Sequence, residues 1–339
     1  MRGFLCALAI AVGMTAQPLQ AQVLDFENLE GWAQDDHRAA LTAFLVTCDQ
    51  IKDGLWAPVC RLAADATRSD ASAKAFFELM FKPVQIGTTP ALFTGYYEPE
   101  HLGSATRTPR FAYPLYGRPP ELRDGQVYYS RSQIEAGALR GRGLEIAWIE
   151  DPVEAFFLQI QGSGRIHLTD GRSIRIGYAG RNGHAYRSVG QEMIARGLRT
   201  PDQVSAQDIR AYVRSTPNGI DLLNANPSYV FFRVISDLAP NRGPIGALGS
   251  SITTLRSVAV DPTYTQMGAP VWIEKAGKDP IRSLMIAQDT GGAIKGAQRA
   301  DIFYGTGTQA GEAAGTIKDG GRMLVLLPID RAYALLPEG

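Results

Sequence analysis

The chain has 339 residues, and its 34 Lys and Arg residues balance its 34 Asp and Glu residues, so the formal net charge is zero. This balance gives no indication of a nucleic-acid partner or of an anionic membrane surface. The four histidines are scattered and lack the paired spacing of zinc sites, so we predict neither a metal nor a cofactor.

Residues 1–21 are predicted to be a cleaved signal peptide. Arg2 precedes an apolar stretch from Phe4 to Met14, and the small residue Ala21 offers a cleavage position. The stretch is shorter than the about 20 apolar residues of a transmembrane helix, and no later segment supplies such a run. Only five residues precede Cys6, so a lipid anchor is the less favoured alternative. We therefore predict an exported protein that is not an integral membrane protein.

Two cysteines, Cys48 and Cys60, remain after removal of the predicted signal peptide. An exported compartment favours a disulfide between them, which would close a small loop. Two buried free thiols are the alternative.

Helical patterns are concentrated near the front of the chain. Asp36 is predicted to cap one helix, and Asp70 is predicted to cap a second helix with an aromatic, core-facing stripe. Two further helices are predicted from Val189 to Gly197 and from Ser205 to Ser215.

From Ala91 onward, short apolar or alternating runs separated by Gly, Pro and Asp predict strands. The first group is ALFTGYY, FAYPLYG, QVYYS, LEIAWIE, AFFLQIQGSG and RIHLTDGRSIRIGYAG, with a hairpin at its Asp-Gly step. The second group is SYVFFRVI, LRSVAVD, PVWIEK, SLMIAQD, ADIFYG and MLVLLP. The predicted fold is mainly β with a few helices, in two β domains.

Three segments place polar residues among glycines and aromatic residues, namely 93–100, 156–190 and 289–305. Strand alternation would put Gln159 and Gln161 on one face, where their amides could bind sugar hydroxyl and acetamido groups. Aromatic rings could cover the apolar faces of the sugars, and the candidates are Tyr96, Tyr97, Tyr178 and Tyr186. A sheet surface with a satisfied polar network is the alternative.

The segment from Asn182 to His184 is equally compatible with a turn, in which Asn and Gly serve the backbone. No nucleophile accompanies His184 at a suitable spacing, so a binding or structural role is predicted for it. Ser163 lies in QGSGR, which lacks the pattern of a nucleophile elbow.

Two carboxylates, Asp289 and Asp301, are separated by twelve positions, and both are predicted at strand ends. The Asp-Thr-Gly that begins at Asp289 matches aspartic proteases, but that chemistry needs two carboxylates that share a proton. The sequence has no second copy of the motif, so we do not predict a protease.

Taken together, FTGYYEP, QGSG, YAGRNGHAYRSVG, NPSYVFFR and DTGGAIKG followed by ADIFYGTG resemble the membrane-bound lytic murein transglycosylase A family. The resemblance covers roughly residues 90–330. It implies a double-psi β-barrel catalytic domain formed by residues 22–97, with the N-terminal helices, and 240–339. A second β-barrel, residues 98–239, would be inserted, with the substrate groove between the two domains.

The resemblance implies a peptidoglycan lytic exotransglycosylase of the periplasm, for which other cell-wall enzymes are possible partners. Asp301 matches the catalytic residue, and Asp289 matches a supporting carboxylate. The reaction implied is cleavage of the β-1,4 bond between N-acetylmuramic acid and N-acetylglucosamine, with formation of a 1,6-anhydro end. The alternatives are a hydrolase that leaves reducing ends and a non-catalytic peptidoglycan-binding protein. The predicted substrate-binding residues are Thr94, Gly95, Tyr96, Tyr97, Gln159, Gln161, Gly162, Ser163, Tyr178, Gly180, Asn182, Gly183, His184 and Tyr186.

Overall fold

The computed structural model describes residues 21–335. The predicted signal peptide, apart from Ala21, and Cys6 lie outside the described residues. Within them, no helix is long and apolar enough to cross a membrane.

Nine α-helices are assigned between residues 21 and 335. They are α1 (His37–Leu45), α2 (Trp56–Asp65), α3 (Asp70–Met80), α4 (Arg131–Gln133), α5 (Pro152–Gln161), α6 (Val189–Ala195), α7 (Ala206–Ser215), α8 (Thr308–Ala314) and α9 (Ile329–Tyr333). A π-helical turn, Ile134–Ala138, follows α4 directly. Short 3-10 helices occupy Phe26–Asn28, Trp32–Gln34, Cys48–Gln50, Ala66–Arg68 and Gly219–Ala225.

The strands of the same range form two sheets. They are β1 (Ala21–Val23), β2 (Phe81–Ile86), β3 (Leu92–Glu98), β4 (Glu100–Ser104), β5 (Tyr113–Tyr116), β6 (Glu145–Ile149), β7 (Ser163–Leu168), β8 (Ser173–Arg181), β9 (Val230–Ile235), β10 (Ser257–Val260), β11 (Pro270–Lys275), β12 (Ile281–Asp289), β13 (Arg299–Thr306), β14 (Lys318–Asp319) and β15 (Gly321–Pro328). The larger sheet has the order β1-β2-β15-β11-β12-β10-β13-β3-β14, and the smaller has the order β5-β6-β4-β7-β8-β9. The prediction of a mainly β fold with helices is confirmed.

Neither sheet closes into a barrel through its strand ladders within residues 21–335. The larger sheet runs from an edge at β1 to an edge at β14. In the smaller sheet a single bridge between Gly117 and Phe232 brings the two edges together without a continuous ladder. Closure into a barrel requires every strand to pair on both sides, so the structure shows two sheets where the sequence analysis predicts two barrels.

Sheet membership changes twice along the chain. Strands β4 to β9 all belong to the smaller sheet, whereas the strands before and after them belong to the larger one. The chain therefore leaves the larger sheet after Glu98 and returns to it at Ser257. The predicted domain limits at residues 97 and 240 stay a prediction.

The N-terminal helices pack on one face of the larger sheet through a buried cluster that includes Phe44, Trp56 and Phe77. Asp36 caps α1 as predicted, because its side chain accepts a hydrogen bond from the Ala39 N–H at 2.9 Å. The predicted cap of α3 is wrong by one residue. Ser69 has the extended backbone of an N-cap and accepts the Ser72 N–H at 3.0 Å, so Asp70 is the first helical residue.

Cys48 and Cys60 form a disulfide, with their Cα atoms 5.6 Å apart. The bond joins the 3-10 turn after α1 to helix α2.

The segment AFFLQIQ is a helix and not the predicted strand. A continuous apolar run fits either element, and local capping decides between them. Asp151 accepts the Val153 N–H at 2.7 Å, Pro152 opens α5, and Gly162 ends it with a φ of 76°. The prediction that Gln159 and Gln161 share a strand face is therefore wrong.

QVYYS is also not a strand, because residues 126–130 have no assigned ladder partner. The other predicted strands and the two predicted central helices are present. The hairpin at the Asp-Gly step is confirmed, since β7 and β8 pair in antiparallel register around it.

Candidate active site

Asp289 and Asp301 lie at the same level of the larger sheet. Ala259 of β10 pairs with Asp289 of β12 on one side and with Asp301 of β13 on the other. Neighbouring strands are about 4.8 Å apart, so the two backbones are separated by roughly 10 Å with one strand between them. Asp289 ends its strand as predicted, whereas Asp301 is the third residue of β13 and lies inside it.

Asp301 has one hydrogen-bond donor among the described residues. Its register partner on β3 is Thr94, whose hydroxyl donates to Asp301 Oδ1 at 2.5 Å. The same hydroxyl accepts a hydrogen bond from Arg299 Nη2 at 2.8 Å. Burial raises the pKa of Asp301, and the Thr94 hydrogen bond and the Arg299 charge oppose that rise. Asp301 as a residue is partly exposed, and its Oδ2 accepts no hydrogen bond from the part of the chain that the structure describes.

Asp289 is saturated with donors by comparison. Its Oδ1 accepts the backbone N–H groups of Ala247 and Thr290, both at 2.9 Å. Its Oδ2 accepts the Tyr96 hydroxyl at 3.1 Å. Burial raises the pKa of Asp289 to about 6, although the three donors favour the ionised form. Burial raises the pKa of both carboxyl groups, so the raised pKa does not separate them. The oxygens of Asp289 are occupied, so the geometry favours Asp301 for proton transfer.

The pKa of Asp289 predicts a pH-dependent contribution to stability. The folded pKa of about 6 exceeds the ordinary value of 3.8, so the folded chain binds this proton more tightly than the unfolded chain. This contribution is fully favourable below pH 3.8 and is lost as the pH rises through about 6. Urea unfolding of wild type and Asp289→Asn should show wild type gaining stability relative to the variant as the pH falls from 7 to 4.5. A difference that does not change with pH would contradict the assignment.

Tyr96 and Tyr97 point to opposite faces of β3. Tyr96 lies with Asp289 and packs on Phe303, with ring centroids 5.3 Å apart. Tyr97 faces α8, where a Cβ at Gly311 would lie 2.7 Å from its ring. There it lines a separate polar cavity of about 250 Å³ with Arg210. Of these two tyrosines, Tyr96 therefore lies with the carboxylates and Tyr97 does not.

The predicted residues around 159–163 have structural partners. Gln159 is buried and accepts a hydrogen bond from Arg131 Nη2 at 2.8 Å. Gln161 Oε1 accepts the Tyr97 N–H at 3.0 Å, which ties α5 to β3. Gly162 ends the helix and Ser163 is buried at the start of β7, so no row of exposed amides exists here.

Asn182 is fully buried, and its side-chain amide holds three backbone groups. Its Nδ2 donates to the carbonyls of Tyr129 and Pro227, both at 2.8 Å, and its Oδ1 accepts the Tyr229 N–H at 2.9 Å. His184 Nε2 lies 2.8 Å from the carbonyl oxygen of Tyr128. These contacts fix the segment that includes QVYYS.

Glycines at the predicted site allow close packing. A Cβ at Gly183 would lie 2.1 Å from the carbonyl oxygen of Gln126. A Cβ at Gly95 would lie 2.7 Å from the Ala314 Cα. A Cβ at Gly180 would lie 3.1 Å from Arg118. Gly183 also has a φ of 77°. Contact of these glycines with substrate stays a prediction.

Residues at and just after the end of β8 in the smaller sheet lie next to Gly292, which follows Asp289 by three positions. A Cβ at Gly292 would lie 3.5 Å from the Cβ of Tyr186 and 4.0 Å from Arg181 Nη1. Tyr178, on the same sheet, is about half exposed, with 51% of its surface accessible. The segment that follows Asp289 thus adjoins predicted binding residues of the other sheet.

Two arginines near the site were missed by the sequence analysis. Arg299 lies two positions before Asp301, so strand alternation alone indicates that both face the same side of β13. Arg131 is 2% exposed, and it donates to the carbonyls of Asn226 at 3.1 Å and Ser228 at 2.7 Å. No local pattern marks Arg131 for burial. Within residues 21–335, no group of three or more potential metal ligands is clustered.

Two family models match this chain. Residues 92–233 match the MltA specific insert domain, and residues 256–327 match the 3D domain. Over 263 residues the chain is 35% identical to membrane-bound lytic murein transglycosylase A of Vibrio cholerae, which covers 73% of this chain and 69% of the relative.

The fold of this chain is similar to solved structures over more than nine-tenths of its length. A membrane-bound lytic murein transglycosylase from Agrobacterium tumefaciens has a TM-score of 0.85 and 33% identity, covering 93% of this chain and 99% of that one. Escherichia coli MltA with bound chitohexaose has a TM-score of 0.74 and 28% identity, covering 92% and 95%. This chain belongs to the membrane-bound lytic murein transglycosylase A (MltA) family.

Proposed function

We propose that the protein is a lytic transglycosylase that cleaves the β-1,4 bond between N-acetylmuramic acid and N-acetylglucosamine in peptidoglycan. The observation that carries the proposal is the contrast between two carboxylates at the same level of one sheet. Both carboxyl groups have a raised pKa, but Asp301 has an open oxygen, whereas three donors hold Asp289. The family's lytic transglycosylases act on murein by name, which supports the same substrate here.

Asp301 is the proposed single acid and base. In the protonated state it donates its proton to the oxygen that links C1 of N-acetylmuramic acid to O4 of N-acetylglucosamine. The C1–O bond breaks, the leaving sugar keeps the proton as its 4-hydroxyl, and an oxocarbenium-like centre develops. The muramoyl 6-hydroxyl then bonds to C1, and its proton returns to Asp301. The product is a 1,6-anhydro end, and no water is consumed.

An attack from within the substrate removes the need for a second catalytic carboxylate. Hydrolases that retain or invert configuration use two carboxyl groups, one of which activates water or forms a covalent bond. A tethered hydroxyl has a high effective molarity and needs only one group to accept its proton. This agrees with an Asp289 whose oxygens are occupied by protein donors.

Asp289 is the proposed electrostatic support. With a pKa of about 6, it is largely ionised at neutral pH. A negative charge held in place by the Tyr96 hydroxyl and two backbone N–H groups can stabilise positive charge that develops at C1.

The glycan is proposed to lie between the two sheets, where Gly292 adjoins Tyr186 and where Tyr178 is exposed. A family member bound to chitohexaose supports a binding site for a sugar chain.

The parallel pairs β10 with β12 and β13 with β3 support a double-psi arrangement of the larger sheet. The same proposal includes cleavage from the ends of glycan strands and export by a cleaved signal peptide. It also includes a periplasmic location and contact with other cell-wall enzymes.

Mass spectrometry of the products tests the proposed reaction. Purified protein incubated with isolated sacculi should release muropeptides with anhydro ends, which are lighter by one water than reducing ends. Release of reducing ends alone would identify a hydrolase and refute the transglycosylase. Binding without any release would identify a peptidoglycan-binding protein.

In this scheme Thr94 lowers the pKa of Asp301 through its hydrogen bond. Thr94→Val removes the hydroxyl that donates to Asp301, so the pKa of Asp301 should rise further and the alkaline limb of the pH-rate profile should move to higher pH. We expect a rate loss of roughly tenfold near neutral pH, because the carboxyl group also loses its positioning. Thr94→Ser keeps the hydroxyl and serves as the control. An unchanged alkaline limb in Thr94→Val would contradict this role.

A further inference from the structure

Glu98 is a fully buried carboxylate at the end of β3, where the chain leaves the larger sheet. Its Oε2 accepts Arg165 Nε at 2.9 Å and the Thr306 hydroxyl at 2.8 Å. Both of its oxygens accept hydrogen bonds from Arg175, between 2.9 and 3.1 Å. Three residues from two different sheets therefore donate to a single side chain.

The two arginines are direct neighbours in the smaller sheet. Arg165 of β7 pairs with Arg175 of β8, and like charges in this position repel each other. Glu98 lies against both guanidinium groups and compensates one of the two charges. The smaller sheet thus presents a cationic pair at the place where the larger sheet supplies its carboxylate.

The same arginines also hold the returning chain. Arg175 donates to the carbonyl of Ala239 at 3.3 Å and to that of Arg242 at 2.8 Å, and Arg165 donates to the Arg242 carbonyl at 3.4 Å. Both connections between the sheets, one leaving after Glu98 and one returning through residues 239–242, are tied together by these bonds.

Glu98 is also joined to the strand that contains Asp301. Thr306, whose hydroxyl it binds, ends β13, and the Glu98 carbonyl accepts the Gly307 N–H at 2.9 Å. Along β3, Glu98 and Thr94 face the same side, and Thr94 contacts Asp301. A shift of the Glu98 side chain would therefore reach both the smaller sheet and the catalytic strand.

We propose that Glu98 is a positioning residue that holds the smaller sheet at a defined distance from Asp301 and thereby sets the groove for the glycan. The inference rests on the proposed function, because the groove is where the substrate is expected to lie. Glu98 makes no contact with the reacting atoms in this scheme. It acts through Arg165, Arg175 and Thr306.

Glu98→Gln tests the proposal, because it keeps the shape and removes the charge. We expect KM for long glycan strands to rise about tenfold while kcat changes less than about threefold, since strand binding spans both sheets and the proton transfer does not. Glu100→Gln is the matched control: Glu100 is two residues away, and its Oε1 lies 4.0 Å from Arg165 Nε and 3.8 Å from His167 Nε2, beyond hydrogen-bond distance. An unchanged KM in Glu98→Gln would overturn the proposal.

A double variant separates positioning from charge balance. Glu98→Gln with Arg165→Gln restores the net charge of the wild-type cluster but not the bonds from one carboxylate to two arginines. We expect the double variant to recover most of the thermal stability that Glu98→Gln loses and to keep the raised KM. Recovery of both properties would show that charge balance alone matters and would overturn the positioning role.

A distance measurement tests the same idea without catalysis. Spin labels at Ser173→Cys and Lys278→Cys, which are exposed positions on the smaller and larger sheet regions, report the separation of the two sheets. Cys48 and Cys60 are bonded to each other and so do not compete for the label. Glu98→Gln should broaden the distance distribution, and an unchanged distribution would overturn the proposal. If wild type released no anhydro ends, the proposed function would fail while this measurement still tested Glu98.

Discussion

Replacement of Asp301 by Asn should lower the rate of glycan cleavage by roughly 10³-fold without loss of binding to sacculi. General acid and base steps together contribute about this much, and Asn can neither give nor take the proton. Asn can still accept the hydrogen bond from Thr94, so the fold around β13 should persist. The rate is measured as release of anhydro muropeptides, and binding is measured by co-sedimentation with sacculi.

Asp237→Asn is the matched control for this experiment, because Asp237 is exposed and lies outside the sheets. It should cleave at the wild-type rate. If Asp301→Asn kept more than about a tenth of the wild-type rate, Asp301 would not be the acid, and Asp289 would have to be reconsidered despite its occupied oxygens.

Replacement of Asn182 by Ala should lower the free energy of unfolding by about 3 kcal/mol or more. The change leaves the buried Tyr229 N–H and the part-buried Tyr129 carbonyl without their partner, whereas the Pro227 carbonyl keeps the Arg131 N–H at 3.0 Å. Each such loss costs about 1–3 kcal/mol. Urea unfolding measures the effect. At a temperature where the variant is folded, its KM should be close to that of wild type, because Asn182 is fully buried.

Asn241→Ala is the control, since Asn241 is exposed and should change stability by less than about 0.5 kcal/mol. A stable Asn182→Ala variant with a strongly raised KM would contradict the structural role. It would restore the prediction from sequence that this residue binds substrate.

The main error of the sequence analysis concerns α5. The run from Phe156 to Gln161 satisfies both a strand and a buried helix, because Phe156 to Leu158 are continuously apolar and the alternation from Leu158 to Gln161 is too short to separate the two. Asp151, Pro152 and Gly162 are the capping signals that favour the helix. They were present in the sequence, so weighing the caps before the apolar run would have found it.

Arg131 and the cluster of Glu98 with Arg165 and Arg175 show a different limit of prediction from sequence. Their significance depends on partners far along the chain, since Arg131 donates to carbonyls about 95 residues away and Glu98 binds arginines 67 and 77 residues away. A charged residue is usually exposed, so a sequence alone favours a solvated side chain at each of these positions. Only the assembled sheets show that they are buried and paired.

Short-range signals in the sequence determined the mainly β character, the hairpin between β7 and β8 and the cap of α1, whereas the choice of Asp301 and Asp289 as candidate carboxylates came from the family resemblance. These features depend on the local pattern of side chains and on turn chemistry, which neighbours in the chain decide. The tertiary structure alone decided how the two carboxylates differ. Strand β10 separates them through Ala259. Donors from two distant segments and from the next residue occupy Asp289, whereas Thr94 alone reaches Asp301. Desolvation and hydrogen bonding set their pKa values, and both depend on groups that the folded chain brings together from distant positions.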